Sequence, residues 1–149
     1  MKQSYPAASW LFFLMLGLAL LGFAQPASLR AQTYALPASG TNNFTTCSGT
    51  LTDDGGLNAP YSPSANGSTT LTPATAGNKI RLQFTSFSVE SGYDLVYIYD
   101  GPNTSSPLIG TYDSSNSPTT VFGTTASGAL TVRLTSDGVV QFGGFEATI

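Results

Sequence analysis

Glu90 and Asp94 stand four positions apart in the stretch FTSFSVESGYDLVYIYDG, Phe84 to Gly101, where a short turn joins two dense apolar runs. If the second run, Tyr93 to Tyr99, is extended, Asp94 shares a face with Val96 and Ile98, while Leu95, Tyr97 and Tyr99 take the other. A carboxylate in line with buried side chains needs a partner, so this turn is a plausible ion site. Catalysis is narrowed by what the sequence lacks. It has no histidine, which removes Ser-His and Cys-His nucleophile pairs and histidine-bearing zinc sites, and no glycine-rich phosphate loop joins a strand to a helix. A glycosidase needs only two carboxylates, so that chemistry stays formally open, with Glu90 and Asp94 the only pair that has an argument for proximity. Short loops offer little cleft for a substrate, and the reading is a non-catalytic domain.

The elements that must hold these acids show a period of two. Ile80, Leu82 and Phe84 alternate with Arg81, Gln83 and Thr85; Leu130, Val132 and Leu134 alternate with Thr131, Arg133 and Thr135; Phe145, Ala147 and Ile149 alternate with Glu146 and Thr148. Each run has one wet face, as antiparallel strands do, with Arg81 and Arg133 pointing outward. Further short apolar runs at Leu108 to Tyr112 and Thr119 to Gly123 are bounded by Gly, Pro, Ser or Asn, and Asp100-Gly101-Pro102 stops the central strand. Between Thr50 and Asn78 turns dominate and Thr69 to Thr72 is the expected strand. Asp53 and Asp54 there read as solvated turn residues. Evenly spaced short strands without a helical period predict an all-β, antiparallel β-sandwich. Its expected core is Ile80, Leu82, Phe84, Val96, Ile98, Leu130, Val132, Leu134 and Phe145.

The first residues read differently. Lys2 precedes an apolar run from Trp10 to Ala24, followed by small and polar residues, which is the pattern of a secretory signal peptide. The run is shorter than the roughly 20 apolar residues of a spanning helix, so export without membrane insertion is expected. Cleavage after Ala24 or after Ala31 fits; residues 1–31 are taken as the leader. Residues 32–46, rich in Ala, Pro, Ser, Thr and Asn, predict a poorly ordered segment, and residues 47–149 the packed domain. Beyond the leader Lys79, Arg81 and Arg133 face all eight acids, a balance that argues against nucleic acid and anionic membranes as partners. The single cysteine, Cys47, cannot close an internal disulfide. It reads as a small buried hydrophobe, with intermolecular pairing or a reactive thiol as alternatives.

From Ile80 to Ile149 the sequence resembles a CUB domain. The resemblance lies in Phe84-x-x-Phe87-x-x-Glu90, Tyr93-Asp94, Ile98-Tyr99-Asp100-Gly101, Leu108-Ile109-Gly110-x-Tyr112, Ser136-Asp137 and Gly144-Phe145-x-Ala147, in that order and spacing. Cys47-Ser48-Gly49 stands where the family's first cysteine opens the domain. The resemblance implies a jelly-roll-like sandwich of two roughly five-stranded sheets. The family's usual two disulfides are missing, which makes this chain similar to disulfide-poor, bacterial-type CUB-like modules. Two absent bridges forgo roughly 2–4 kcal/mol each, so the apolar core must supply the stability.

Many members of that family hold calcium at one end, and the matching positions here are Glu90, Asp94 and Asp137. Calcium takes about 6–8 oxygens, a number that three carboxylates with carbonyls and water can reach, and a backbone carbonyl near Val139 is the expected fourth protein ligand. Without a cation the same acids would repel one another; as plain turn residues they would simply be solvated. The resemblance further implies an extracellular partner protein whose basic side chain meets the ion-holding acids. Tyr93 and Tyr97 read first as packing residues and second as an aromatic platform for a peptide or sugar. A secreted or surface module for calcium-dependent protein recognition or adhesion is therefore expected, with polysaccharide binding or a purely structural role in a secreted enzyme as the alternatives. The chain ends inside its last strand, as either a monomer or one module of a longer exported protein.

Overall fold

A computed structural model describes Met1 and residues 32–149, so the leader expected over residues 1–31 otherwise lies outside the described residues. Ten strands follow in order: β1 (Thr33–Ala35), β2 (Ser39–Thr46), β3 (Thr50–Thr52), β4 (Asn66–Pro73), β5 (Arg81–Ser88), β6 (Leu95–Tyr99), β7 (Leu108–Tyr112), β8 (Thr120–Phe122), β9 (Leu130–Thr135) and β10 (Gly144–Thr148). They form two five-stranded sheets, ordered β1-β3-β10-β5-β8 and β2-β4-β9-β6-β7. The all-β sandwich is the architecture. The alternations read from the sequence set its inner faces: Leu82, Val96, Ile98, Leu130, Val132, Leu134, Phe145 and Ala147 are all buried, and Phe84 packs against them half-buried.

Two expectations for residues 32–47 are corrected. Residues 32–46 are not a disordered leader but carry β1 and β2, and Tyr34 and Leu36 enter the core. The reason they escape a periodicity test is position. β2 is a sheet edge, where Ser39, Gly40, Thr41, Asn43 and Thr45 face water and few apolar residues are needed. Residues 33–46 also bring the only parallel pairings among the described strands, β1 with β3 and β2 with β4. Each of the two chain reversals β1 to β2 and β3 to β4 passes from one sheet to the other, so laying them side by side puts like-directed strands together. Cys47, in turn, is exposed rather than buried. It sits in the three-residue turn between β2 and β3, at the sandwich rim.

Strand directions give the domain two poles. β5 runs from Arg81 at one pole to Ser88 at the other, about 25 Å for eight residues. The loops β3–β4, β5–β6, β7–β8 and β9–β10 gather at the second pole. At the first, the Thr50 N–H donates to the Gln32 carbonyl and the Ile149 N–H to the Gly49 carbonyl, so the described domain is entered and left at the same pole.

One close approach ties β3 to β10 at the second pole. Asp53, fully buried, accepts the Phe145 N–H and the Gly55 N–H, each at 2.8 Å. Gly144 makes room for it: its φ is +74°, and a Cβ there would stand 1.8 Å from Asp53 Oδ2. Asp53 is thus a structural strut rather than a solvated turn residue. Burial pushes its carboxyl above the ordinary aspartate range, opposed by those two N–H groups.

Candidate metal centre

Asp94 is the last residue before β6, and β6 lies beside β9 with Leu95 opposite Thr135. Ser136 and Asp137 therefore emerge from β9 next to Asp94, and the Asp137 N–H donates to Asp94 Oδ1 at 2.8 Å. Glu90 arrives from the opposite sheet through the turn after β5, whose end is closed by the Asp94 N–H on the Glu90 carbonyl at 3.2 Å. The side chains of Glu90, Asp94 and Asp137 each place a carboxylate oxygen within 4.8 Å of the others, with Asp94 buried, Glu90 half-buried and Asp137 exposed. The three acids expected to meet do meet.

Val139, expected for its backbone carbonyl, also engages the cluster through its N–H. Its N–H donates to Asp137 Oδ1 at 2.8 Å, which fixes the Asp137 rotamer, while its side chain projects into solvent. The bond holds one carboxylate oxygen in place and leaves the other free.

Two residues that complete the site carried no signal in the pattern. Tyr61, buried in the β3–β4 loop, donates its hydroxyl to Asp94 Oδ2 at 2.5 Å and accepts the Glu90 N–H at 3.2 Å. It joins two of the three acids through one oxygen. Burial first, then the bond to Asp94, pushes its hydroxyl up to about 12. The loop bearing Tyr61 is itself pinned to the end of β9, where Ser136 Oγ donates to the Ser62 carbonyl and accepts the Ala65 N–H, both at 2.8 Å. Asp113, in the β7–β8 loop, accepts the Gly92 N–H at 2.9 Å and the Ser91 hydroxyl at 3.3 Å, and so braces the turn that carries Glu90. The Ser115 hydroxyl and the turn N–H groups hold the Asp113 carboxyl down at about 2. Tyr61 lies between Pro60 and Pro63 in a turn-rich stretch, and the proline spacing is the only local hint that its backbone is fixed.

The electrostatics favour a cation. Partial desolvation, then the charges of Asp137 and Asp94, push the Glu90 carboxyl up. Asp94 has one lone pair on each oxygen committed to Tyr61 or Asp137, and a carboxylate offers about four acceptor positions, so capacity for a metal remains. All the donors are hard oxygens, suited to calcium rather than to a thiophilic metal. On the outer face of the other end of β6, the Tyr97 and Tyr99 rings lie near-parallel at 6.4 Å, with the Arg133 guanidinium 5.6 Å from the centre of the Tyr97 ring.

Known proteins share this fold. Residues 40–149 match the model of the CUB domain. Pig cubilin is 35% identical over 115 residues, covering 71% of this chain and 3% of cubilin. Human Tolloid-like protein 2 is 37% identical over 79 residues, covering 50% of this chain and 8% of that protein. This chain thus corresponds to a small part of each of these relatives. Among solved structures, the MASP-1 CUB2 domain bound to Ca2+ superposes with a TM-score of 0.59 at 27% identity, covering 72% of this chain and 95% of that one. The CUB1-EGF-CUB2 domains of rat MASP-1 give 0.60 at 27% identity, over 75% of this chain and 40% of that one. The match over most of the described residues, on a two-sheet sandwich with its acids gathered at one pole, places this chain in the CUB domain family.

Proposed function

We propose that this chain is an exported, non-catalytic CUB module that recognises an extracellular polypeptide through a calcium ion held by Glu90, Asp94 and Asp137. The observation that carries the reading is the convergence of three carboxylates within 4.8 Å, one of them buried, without a lysine or arginine among them. The calcium-bound MASP-1 CUB2 structure supports it from the side of the fold. Water and a carbonyl of the Asp137–Val139 turn would complete the shell. Residues 1–31 would direct export, and the module would serve a larger secreted or surface protein.

Extracellular calcium modules bind at about 10⁻⁴–10⁻³ M. Millimolar calcium would then stabilise the fold by roughly 0.4–1.4 kcal/mol. Calorimetric titration of the parent protein should give binding heat and a thermal shift, and both should vanish in Asp94→Ala and Asp137→Ala. A parent protein silent at several millimolar calcium defeats the reading.

One observation favours polysaccharide as a second ligand class, namely the paired rings of Tyr97 and Tyr99 on an outer sheet face. Glycan binding that persists in chelator and is lost in Tyr97→Ala with Tyr99→Ala would establish it.

A further inference from the structure

The exposed large apolar side chains of the domain are unevenly placed. Leu108, Ile109 and Phe122 lie on the edge strands β7 and β8, whereas Leu57, Tyr93, Val139, Val140 and Phe142 lie in the loops of the acidic pole. The last four are well out in solvent, with Tyr93 69%, Val139 67%, Val140 50% and Phe142 43% exposed. They lie beside the carboxylate cluster in the chain. Tyr93 directly precedes Asp94, the Val139 N–H holds Asp137, and Val140 and Phe142 follow Val139 in the same loop.

The β9–β10 loop does not hide these side chains, although doing so would remove apolar surface from water. Instead Val140 is held at φ +56°, a left-handed conformation that is an outlier for a β-branched residue, and the neighbouring Gln141 has a buried amide nitrogen with no hydrogen-bond partner among the described residues. Strain of this kind persists where the surrounding structure enforces it, and it concentrates at binding loops. A protruding apolar rim around a polar centre is the layout of an interface whose centre is desolvated on docking.

The charge pattern selects the occupant. Asp53, Asp54, Glu90, Asp94, Asp113 and Asp137 all belong to the loops of this pole, and no lysine or arginine does. One divalent cation would leave the pole negative, which opposes an anionic lipid surface and favours a cationic ligand. We propose that Tyr93, Val139, Val140 and Phe142 form an apolar collar that docks a partner polypeptide in which large apolar side chains flank a basic residue. This rests on the reading of the acidic pole as a recognition surface.

The test is a peptide array with a central Lys or Arg flanked by Leu and Phe, or by Ser, probed with the purified protein in millimolar calcium. The protein is expected to capture the apolar-flanked basic peptides, and Val140→Ser with Phe142→Ser to weaken capture about tenfold or more while leaving the calcium titration unchanged. Val140→Gly separates binding from folding: glycine relaxes the positive φ, so Tm should rise while capture weakens. Equal capture of serine-flanked peptides, capture indifferent to the collar variants, no capture of any peptide, or retention on phosphatidylserine vesicles instead would each overturn the collar. Capture lost in Asp94→Ala yet unchanged in the collar variants would overturn it while leaving calcium-dependent recognition standing. Capture lost in the collar variants but indifferent to chelator would support the collar and remove the calcium.

Discussion

Tyr61 is the residue on which the acidic cluster depends, because one hydroxyl supports both the buried Asp94 and the turn at Glu90. Tyr61→Phe leaves Asp94 Oδ2 and the Glu90 N–H without that partner. A loss of about 1–3 kcal/mol is expected in urea unfolding. Its titration gives a sharper check. A hydroxyl pushed up to about 12 from the ordinary 10 stabilises the fold fully below about pH 10, and that contribution is lost as pH rises through about 12. Tyr61→Phe should flatten this alkaline limb, and an unchanged limb would show that the hydroxyl does not carry it. The acids were legible in the sequence because Asp94 sits on an otherwise apolar face and Asp137 follows an alternating strand. Tyr61 was not, since a side chain arriving from a turn-rich loop across more than thirty positions leaves no periodic trace.

At the scale of elements, the poles are held by carboxylates that clamp one loop to another. Asp113 clamps β7–β8 to the Glu90 turn, and its carboxyl lies near 2, below its ordinary value. A depressed acid stabilises the native state above about pH 4 and loses that contribution as pH falls toward 2. Asp113→Asn should therefore be less stable at neutral pH, with a shallower decline between pH 4 and 2 in urea midpoints; parallel declines in the two proteins would contradict the clamp. Asp53 works with Gly144 in the same manner. Gly144→Ala imposes a left-handed residue at a cost of about 1–2 kcal/mol, and the displaced carboxylate adds to it. An alanine variant with parental Tm would disprove that close approach. The alternation of β5, β6, β9 and β10 made these strands readable, whereas β1 and β2 were not, because an edge strand of Ser, Thr and Asn resembles a linker. Cross-loop clamps are equally silent in sequence, since each is a single acid among turn residues.

Across the whole molecule, stability comes from one core packed between two sheets without a covalent staple. Cys47 is exposed in the turn after β2. The native protein should yield one thiol to a disulfide reagent without prior unfolding, and reductant should leave the Tm of the monomer unchanged. A thiol that reacts only in denaturant would return Cys47 to the interior. The net acidity of the chain was readable from composition, but its concentration at one pole was not. That depends on four loops reaching the same pole, which is a property of topology.

The shared pole of entry and exit has a mechanical meaning. Gln32 and Ile149 sit on either side of the β3 start, two strand spacings or about 10 Å apart. The domain is thus tethered like a bulb in a socket, with both leads at the base and the acidic cluster at the crown. A pull applied through the two leads would load the base of the described domain rather than its crown. A few glycines should suffice to fuse the two leads, and reopening the ring in the exposed Asn103–Ser106 turn should give a circular permutant that keeps the parent's β-type circular dichroism.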